Sequence, residues 1–113
     1  MSVISMLLGG NNSMDDTIKR LSPTEFKAQV QDKNVQLVDV RTPREYDQGH
    51  IPGAINIDFY SRKFTSEFNE LAKDKAVYVY CRSGKRSSYS AKKIAALGFT
   101  KIYDLQGGIL NYK

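Results

Sequence analysis

Short apolar runs alternate along the chain with stretches whose apolar residues recur at helical spacing. Five runs read as strands: Ile18 to Leu21, Val35 to Val40, Ala54 to Ile57, Ala76 to Tyr80 and Ile102 to Leu105. The first is short and reads as an edge strand. Ala76-Val77-Tyr78-Val79-Tyr80 reads as a central one, its Val and Tyr positions alternating against two covered faces. Helical segments fall between the runs. Ser22-Pro23-Thr24-Glu25 is a helix start, with Ser at N-cap, Pro at N1 and Glu at N3. That helix is expected to run to about Val30, with Phe26 and Val30 on one face. Pro43 to Tyr46 predicts a brief helix capped by Thr42, and Phe64, Phe68 and Leu71 mark another. Ser87 to Leu97 is the clearest helix, with Ala91, Ile94 and Ala95 as its inner stripe. Gly98 fits its C′ position, and Phe99 can fold back on Ile94. Gly107-Gly108 allows a sharp turn into a short last helix or tail. Strands alternating with helices predict an α/β protein with a parallel sheet.

The 113 residues suit one domain with one modest core. Residues 17–113 are read as that domain and residues 1–16 as a lead segment with a break at Gly9 to Ser13. The apolar start, Met1 to Gly10, lacks a basic n-region and a small-residue cleavage pattern. It is also far below membrane-spanning length, so neither a secretory leader nor a membrane span is expected. One Cys and one His leave no disulfide framework and argue against a zinc centre, so no metal and no cofactor are expected. A free thiol is easiest to keep in a reducing compartment, which favours the cytoplasm.

The net charge of +5 is unevenly placed. Residues 1–80 hold ten Lys/Arg against eleven Asp/Glu, whereas residues 81–113 hold seven against Asp104 alone. Lys92, Lys93 and Lys101 read equally well as a solvated helix face. Arg82, Lys85 and Arg86 flank the lone cysteine, and a field of that sign draws anions inward. No long basic run or nucleic-acid module accompanies the charge, so nucleic acid is not an expected partner.

The densest chemistry is Cys81-Arg82-Ser83-Gly84-Lys85-Arg86, followed by Ser87. In open α/β sheets, ligands gather beyond the carboxyl ends of strands, and the strand ending at Tyr80 delivers Cys81 there. A short Gly-containing loop can turn successive amides inward as an anion nest, and the following helix adds its positive end. Together with three cations, these features favour thiolate over thiol, without a histidine base. The competing reading is a buried, inert cysteine closing a strand. Two chemistries fit an activated thiol in such a cradle: attack on a sulfane sulfur to give a persulfide, or attack on phosphorus as in cysteine phosphatases. Four residues separate Cys81 from Arg86, a shorter loop than in cysteine phosphatases, and it suits a single sulfur atom.

Four motifs in order carry a family resemblance. Leu37-Val38-Asp39-Val40-Arg41, with Glu45-Tyr46 and Gly49-His50-Ile51-Pro52-Gly53-Ala54-Ile55-Asn56, resembles the first signature of single-domain rhodaneses. Tyr80 to Ser87 resembles their active-site loop, and Leu97-Gly98-Phe99 and Leu105-Gln106-Gly107-Gly108-Ile109 resemble their closing motifs. The resemblance implies the rhodanese-like fold, a mainly parallel sheet of about five strands with helices on both faces. It implies Cys81 as sulfur acceptor, the amides of Arg82, Ser83, Gly84, Lys85, Arg86 and Ser87 as the cradle, and Arg86 as a brace of the loop or a donor-anion ligand. Arg82 and Lys85 would attract thiosulfate and the departing sulfite. A thiol or cyanide would then take the sulfur in a ping-pong exchange. The protein is expected to act as a monomer, and a carrier fed by a persulfide-donating protein is the alternative use of the same cradle.

Other polar residues near these motifs read as structural. His50 is expected to hydrogen-bond within its turn, and Asp39 to satisfy backbone groups or pair with a basic residue at a strand end. Arg41 and Glu45 are expected to pair with each other.

Overall fold

The computed structural model describes residues 14–112. The expected break at Gly9 to Ser13, and all but the last residues of the expected lead segment, lie outside them. Helix α1 (Met14–Thr17) leads directly into β1 (Ile18–Leu21). The order continues α2 (Pro23–Gln29), β2 (Gln36–Asp39), α3 (Pro43–Asp47), β3 (Ile55–Asn56), α4 (Phe64–Phe68), β4 (Val77–Tyr80), α5 (Lys85–Ala96) and β5 (Ile102–Leu105). A turn of 3₁₀ helix, Ile109–Asn111, follows.

The five strands form one parallel sheet in the order β1-β5-β4-β2-β3, with β4 at its centre and β1 at an edge. The chain moves outward from β2 to β3 on one side, then from β4 to β5 on the other. The strand order therefore reverses between β2 and β4, and a crevice is expected beyond their carboxyl ends. Register places Val38 beside Val79 and Asp39 beside Tyr80, so the residues that follow, Val40 and Cys81, leave the sheet together.

Alternation along β4 divides the core between two faces. Val77, Val79 and Cys81 pack with Phe64 and Phe68 of α4 and Ala91 and Ile94 of α5. Tyr78 and Tyr80 pack with Phe26 of α2 and Leu37. Helices thus cover both faces, as the α/β reading expects.

The punctuation read from sequence recurs in the helix ends. Ser22 and Thr42 each cap a helix through a complete capping box, with Glu25 and Glu45 at N3. At the end of α5, Gly98 N–H donates to Ala95 O (3.0 Å) and Phe99 N–H to Ile94 O (3.4 Å), a Schellman closure. Two helix boundaries differ from expectation by more than one residue. Helix α5 starts at Lys85 rather than Ser87, because Gly84 turns left-handed and lets the helix begin inside the cysteine loop. Helix α4 ends at Phe68, and tighter turns carry the chain on to Leu71, which still packs on the same core.

Candidate active site

Cys81 continues the Val77–Val79 face of β4 one step past the sheet. Arg82 and Ser83 are exposed, and Gly84 then adopts φ 102°, a conformation that costs little only for glycine. This sharp return brings the Gly84 N–H to 3.0 Å from Cys81 Sγ. Among the described residues it is the one amide in hydrogen-bond contact with the sulfur. Cys81 is buried, as the competing reading expects, but hydrocarbon is not its whole surrounding: the Ser87 hydroxyl oxygen lies 3.5 Å from Sγ.

The loop is held from behind by the last turn of the chain. Ile109 N–H donates to Cys81 O (2.9 Å) and Leu110 N–H to Arg82 O (3.2 Å). Because C=O and N–H point opposite ways across a trans peptide, the following amides face away from this turn. The approach depends on Gly108. A Cβ there would stand 2.3 Å from Arg82 O and 2.6 Å from Ser83 N, and its φ of 69° is also left-handed.

Arg86 grips Glu45 of α3 with both outer nitrogens, Nη1 to Oε1 at 2.8 Å and Nη2 to Oε2 at 3.0 Å. Glu45 Oε1 also accepts from the Thr42 N–H and hydroxyl, so a helix cap and the cysteine loop share one carboxylate. The Arg86 hydrogen bond, helped by those from Thr42, holds the Glu45 carboxyl down at about 2. The exposed Tyr60 ring lies 5.9 Å from the Arg86 guanidinium. The expected Arg41–Glu45 pair is not formed. Arg41 instead binds the buried Asp39 through Nε and Nη2 (2.7–3.0 Å), because two residues along an extended strand end bring these side chains together. Arg41 also donates to Gly49 O at 2.7 Å, which ties the next turn to the sheet. Arg82 and Lys85 are exposed and have no ion-pair partner among the described residues.

On the sulfur's far side, Ser87 Oγ donates to Asp104 Oδ1 at 2.6 Å. Asp104 sits on β5 between Arg20 of β1 and Val79 of β4 and is only 3% exposed. Burial pushes its carboxyl up to about 6 against the opposing influence of Ser87 and Arg20. Sequence reading did not single out Asp104 as part of the site. The signal was available: Asp104 alternates with Ile102, so a carboxylate occupies a core-facing strand position.

His50 is exposed, stacks on Tyr46 at 3.7 Å and bonds its backbone carbonyl through Nδ1 at 2.9 Å, a structural placement. Among the described residues no group of three or more His, Cys, Asp or Glu side chains could hold a metal ion, and no helix is long and apolar enough to cross a membrane.

Comparison with known proteins agrees with this architecture. The Rhodanese-like domain family matches residues 22–113. The uncharacterized protein YqhL of Bacillus subtilis is 42% identical over 91 residues, covering 80% of this chain and 69% of YqhL. YrkF of the same organism, provisionally named a sulfur carrier protein, is 31% identical over 107 residues, 92% of this chain and 57% of YrkF. A tRNA uridine(34) hydroxylase of Enterococcus faecalis is 34% identical over 103 residues, 88% of this chain but only 33% of the hydroxylase. The crystal structure of a rhodanese-like domain protein from Staphylococcus aureus superposes with a TM-score of 0.74 at 29% identity, covering 84% of this chain and 91% of that one. The parallel five-stranded sheet, the cysteine at its central carboxyl end and the match over residues 22–113 place this chain in the rhodanese-like domain family, whose shared chemistry is of the sulfur-transfer type.

Proposed function

We propose that the protein is a sulfurtransferase that carries sulfane sulfur as a persulfide on Cys81, taking it from thiosulfate or a similar small anionic donor. The observation that carries this reading is the Gly84 N–H at 3.0 Å from Cys81 Sγ, at the head of a loop with only four residues between Cys81 and Arg86. An amide donor on sulfur favours its anionic form, and so small a ring fits one sulfur better than a tetrahedral phosphate.

In the first half-reaction, the Cys81 thiolate attacks the outer sulfur of thiosulfate. The new S–S bond forms as the old one breaks, and sulfite leaves with the bonding pair. In the second, an acceptor thiolate or cyanide takes the outer sulfur and Cys81 departs as thiolate. Arg82 and Lys85, exposed and without ion-pair partners among the described residues, attract the donor. Arg86 braces the loop through Glu45. Cys81 has no exposed surface, so donor and sulfur meet only when the loop above the thiol shifts. The free thiol calls for a reducing compartment such as the cytoplasm.

A second use of the same site has support from YrkF, whose name is that of a sulfur carrier. Here a persulfide-bearing partner protein loads Cys81, and thiosulfate turns over poorly. The two uses separate on one comparison: steady-state turnover with thiosulfate against transfer from a protein persulfide. Their common core is tested by loading the protein with either donor. Wild type gains one sulfur in intact mass, and Cys81→Ala gains none. A persulfide-free wild type with both donors overturns the proposal.

A further inference from the structure

Cys81 and Ser87 are wholly buried and Asp104 is 3% exposed, so the cysteine proton has no direct exit to bulk water. A buried path is in place. Cys81 Sγ lies 3.5 Å from Ser87 Oγ, and Ser87 Oγ lies 2.6 Å from Asp104 Oδ1. Ser87 has one hydroxyl proton. It can reach Gly84 O at 3.2 Å or Asp104 at 2.6 Å, and the shorter, charge-assisted contact is the stronger. With that proton on Asp104's side, the lone pairs of Ser87 are free to accept from the thiol. Both bonds then run in one direction, from sulfur to carboxylate.

We propose that Asp104 takes up the Cys81 thiol proton through the Ser87 hydroxyl, and returns it when the sulfur has been handed on. The proposal extends the persulfide reading, since it names the proton acceptor that reading lacks. In loading, Cys81 S–H gives its proton to Ser87 Oγ while Ser87 gives its own to Asp104. Thiol and carboxylate become thiolate and carboxylic acid, with no net change of charge. The thiolate then attacks the donor sulfur as above. After the acceptor removes the outer sulfur, the same two protons move back and Asp104 is again ionised.

The groups facing Asp104 are few. Arg20 lies beside it on β1, Val79 beside it on β4, and Ser87 reaches it from α5. Arg20 favours the carboxylate and burial opposes it, leaving the carboxyl near 6. Above that pH the relay has an acceptor; below it Asp104 already holds a proton and the relay is closed. Asp104 acts through Ser87 rather than on the donor, so it is a positioning and proton-accepting residue whose mark is a pH profile.

The test is the single-turnover rate of persulfide formation, followed by intact mass across pH 5 to 8, for wild type, Asp104→Asn, Ser87→Ala, Ser87→Thr and Arg20→Gln. The wild-type rate should climb with pH through about 6. Asp104→Asn, nearly isosteric and able to keep a hydrogen bond to Ser87, should lose that climb and fall roughly 10²-fold at neutral pH. Ser87→Ala should match it, the double variant should be no slower than either, and Ser87→Thr should keep the profile. Arg20→Gln should move the climb to higher pH. Thermal melting of each variant establishes that it is folded. An unchanged profile in folded Asp104→Asn, with persulfide forming normally, overturns the relay and leaves the sulfurtransferase reading standing. Should neither thiosulfate nor a protein persulfide load wild type, alkylation of Cys81 by iodoacetamide still requires the same proton removed. A climb lost in Asp104→Asn then supports the relay while the sulfur reading falls, and an unchanged climb overturns both.

Discussion

The guanidinium of Arg86 gives both outer nitrogens to Glu45, so it reaches a donor anion only with a carboxylate at its back. That favours a bracing role, and Arg86→Ala should cut turnover far more than Lys92→Ala on the exposed side of the same helix. The pair also has an acid signature. Glu45 titrates at about 2 in the fold against an ordinary value of 4.5, so the stability it contributes is present above pH 4.5 and is lost as pH falls through 2. Glu45→Gln should flatten the wild-type loss of stability across that window, measured by urea unfolding. Asp104 has the opposite sign. Its carboxyl is raised from 3.8 to about 6, so its contribution is fully present below pH 3.8 and is lost as pH rises through 6. Asp104→Asn should therefore be more stable than wild type at pH 7, by about 1–2 kcal/mol, while losing the proton path. A variant that is less stable at pH 7 contradicts the assigned cost of this buried carboxylate.

At the scale of elements, the cysteine loop is shaped by its neighbours as much as by its own residues. The turn at Ile109–Asn111 holds the Cys81 and Arg82 carbonyls, and only a hydrogen at Gly108 Cα allows that approach. Gly108→Ala adds a methyl against backbone and strains a left-handed residue. It should cost about 2–3 kcal/mol and slow persulfide loading, measured by unfolding and by mass. Ser22→Ala, at the start of α2, should cost only about 1 kcal/mol and leave loading unchanged. What the sequence made legible at this scale was local. The capping box at Ser22, the cap at Thr42, the Schellman glycine at Gly98 and the alternation along β4 each depend on a few consecutive residues. What it did not show was set by strand order. Glu45 meets Arg86 because β2 and β4 are neighbours, although 41 positions separate the two residues. Asp104 meets Ser87 because β5 lies under the first turn of α5. The start of α5 differs because a glycine can either continue a loop or open a helix, and the left-handed turn at Gly84 opens it.

Across the molecule, the basic excess of residues 81–113 gathers on the segment that contains the thiol, while the rest of the chain is nearly neutral. Arg82 and Lys85 hold the exposed part of that charge beside the loop. Steering by such charges weakens as the Debye length shrinks, from about 10 Å at 0.1 M salt to about 3 Å at 1 M. The apparent KM for thiosulfate should rise several-fold with added salt, and Arg82→Ala/Lys85→Ala should raise it at low salt and remove most of the salt dependence. The parallel sheet and its two covered faces supply the rigid floor for this arrangement, with Val79 and Ile94 both fully buried beneath the loop. Ile94→Ala should cost about 2–5 kcal/mol through the cavity it leaves. The most direct measurement of the central claim is the intact mass of the protein after exposure to thiosulfate or to a persulfide-bearing protein. An increase of ~32 Da, reversed by cyanide and absent in Cys81→Ala, is the result expected of a sulfur held on that cysteine. An unchanged wild-type mass with both donors, or an increase that persists in Cys81→Ala, contradicts it.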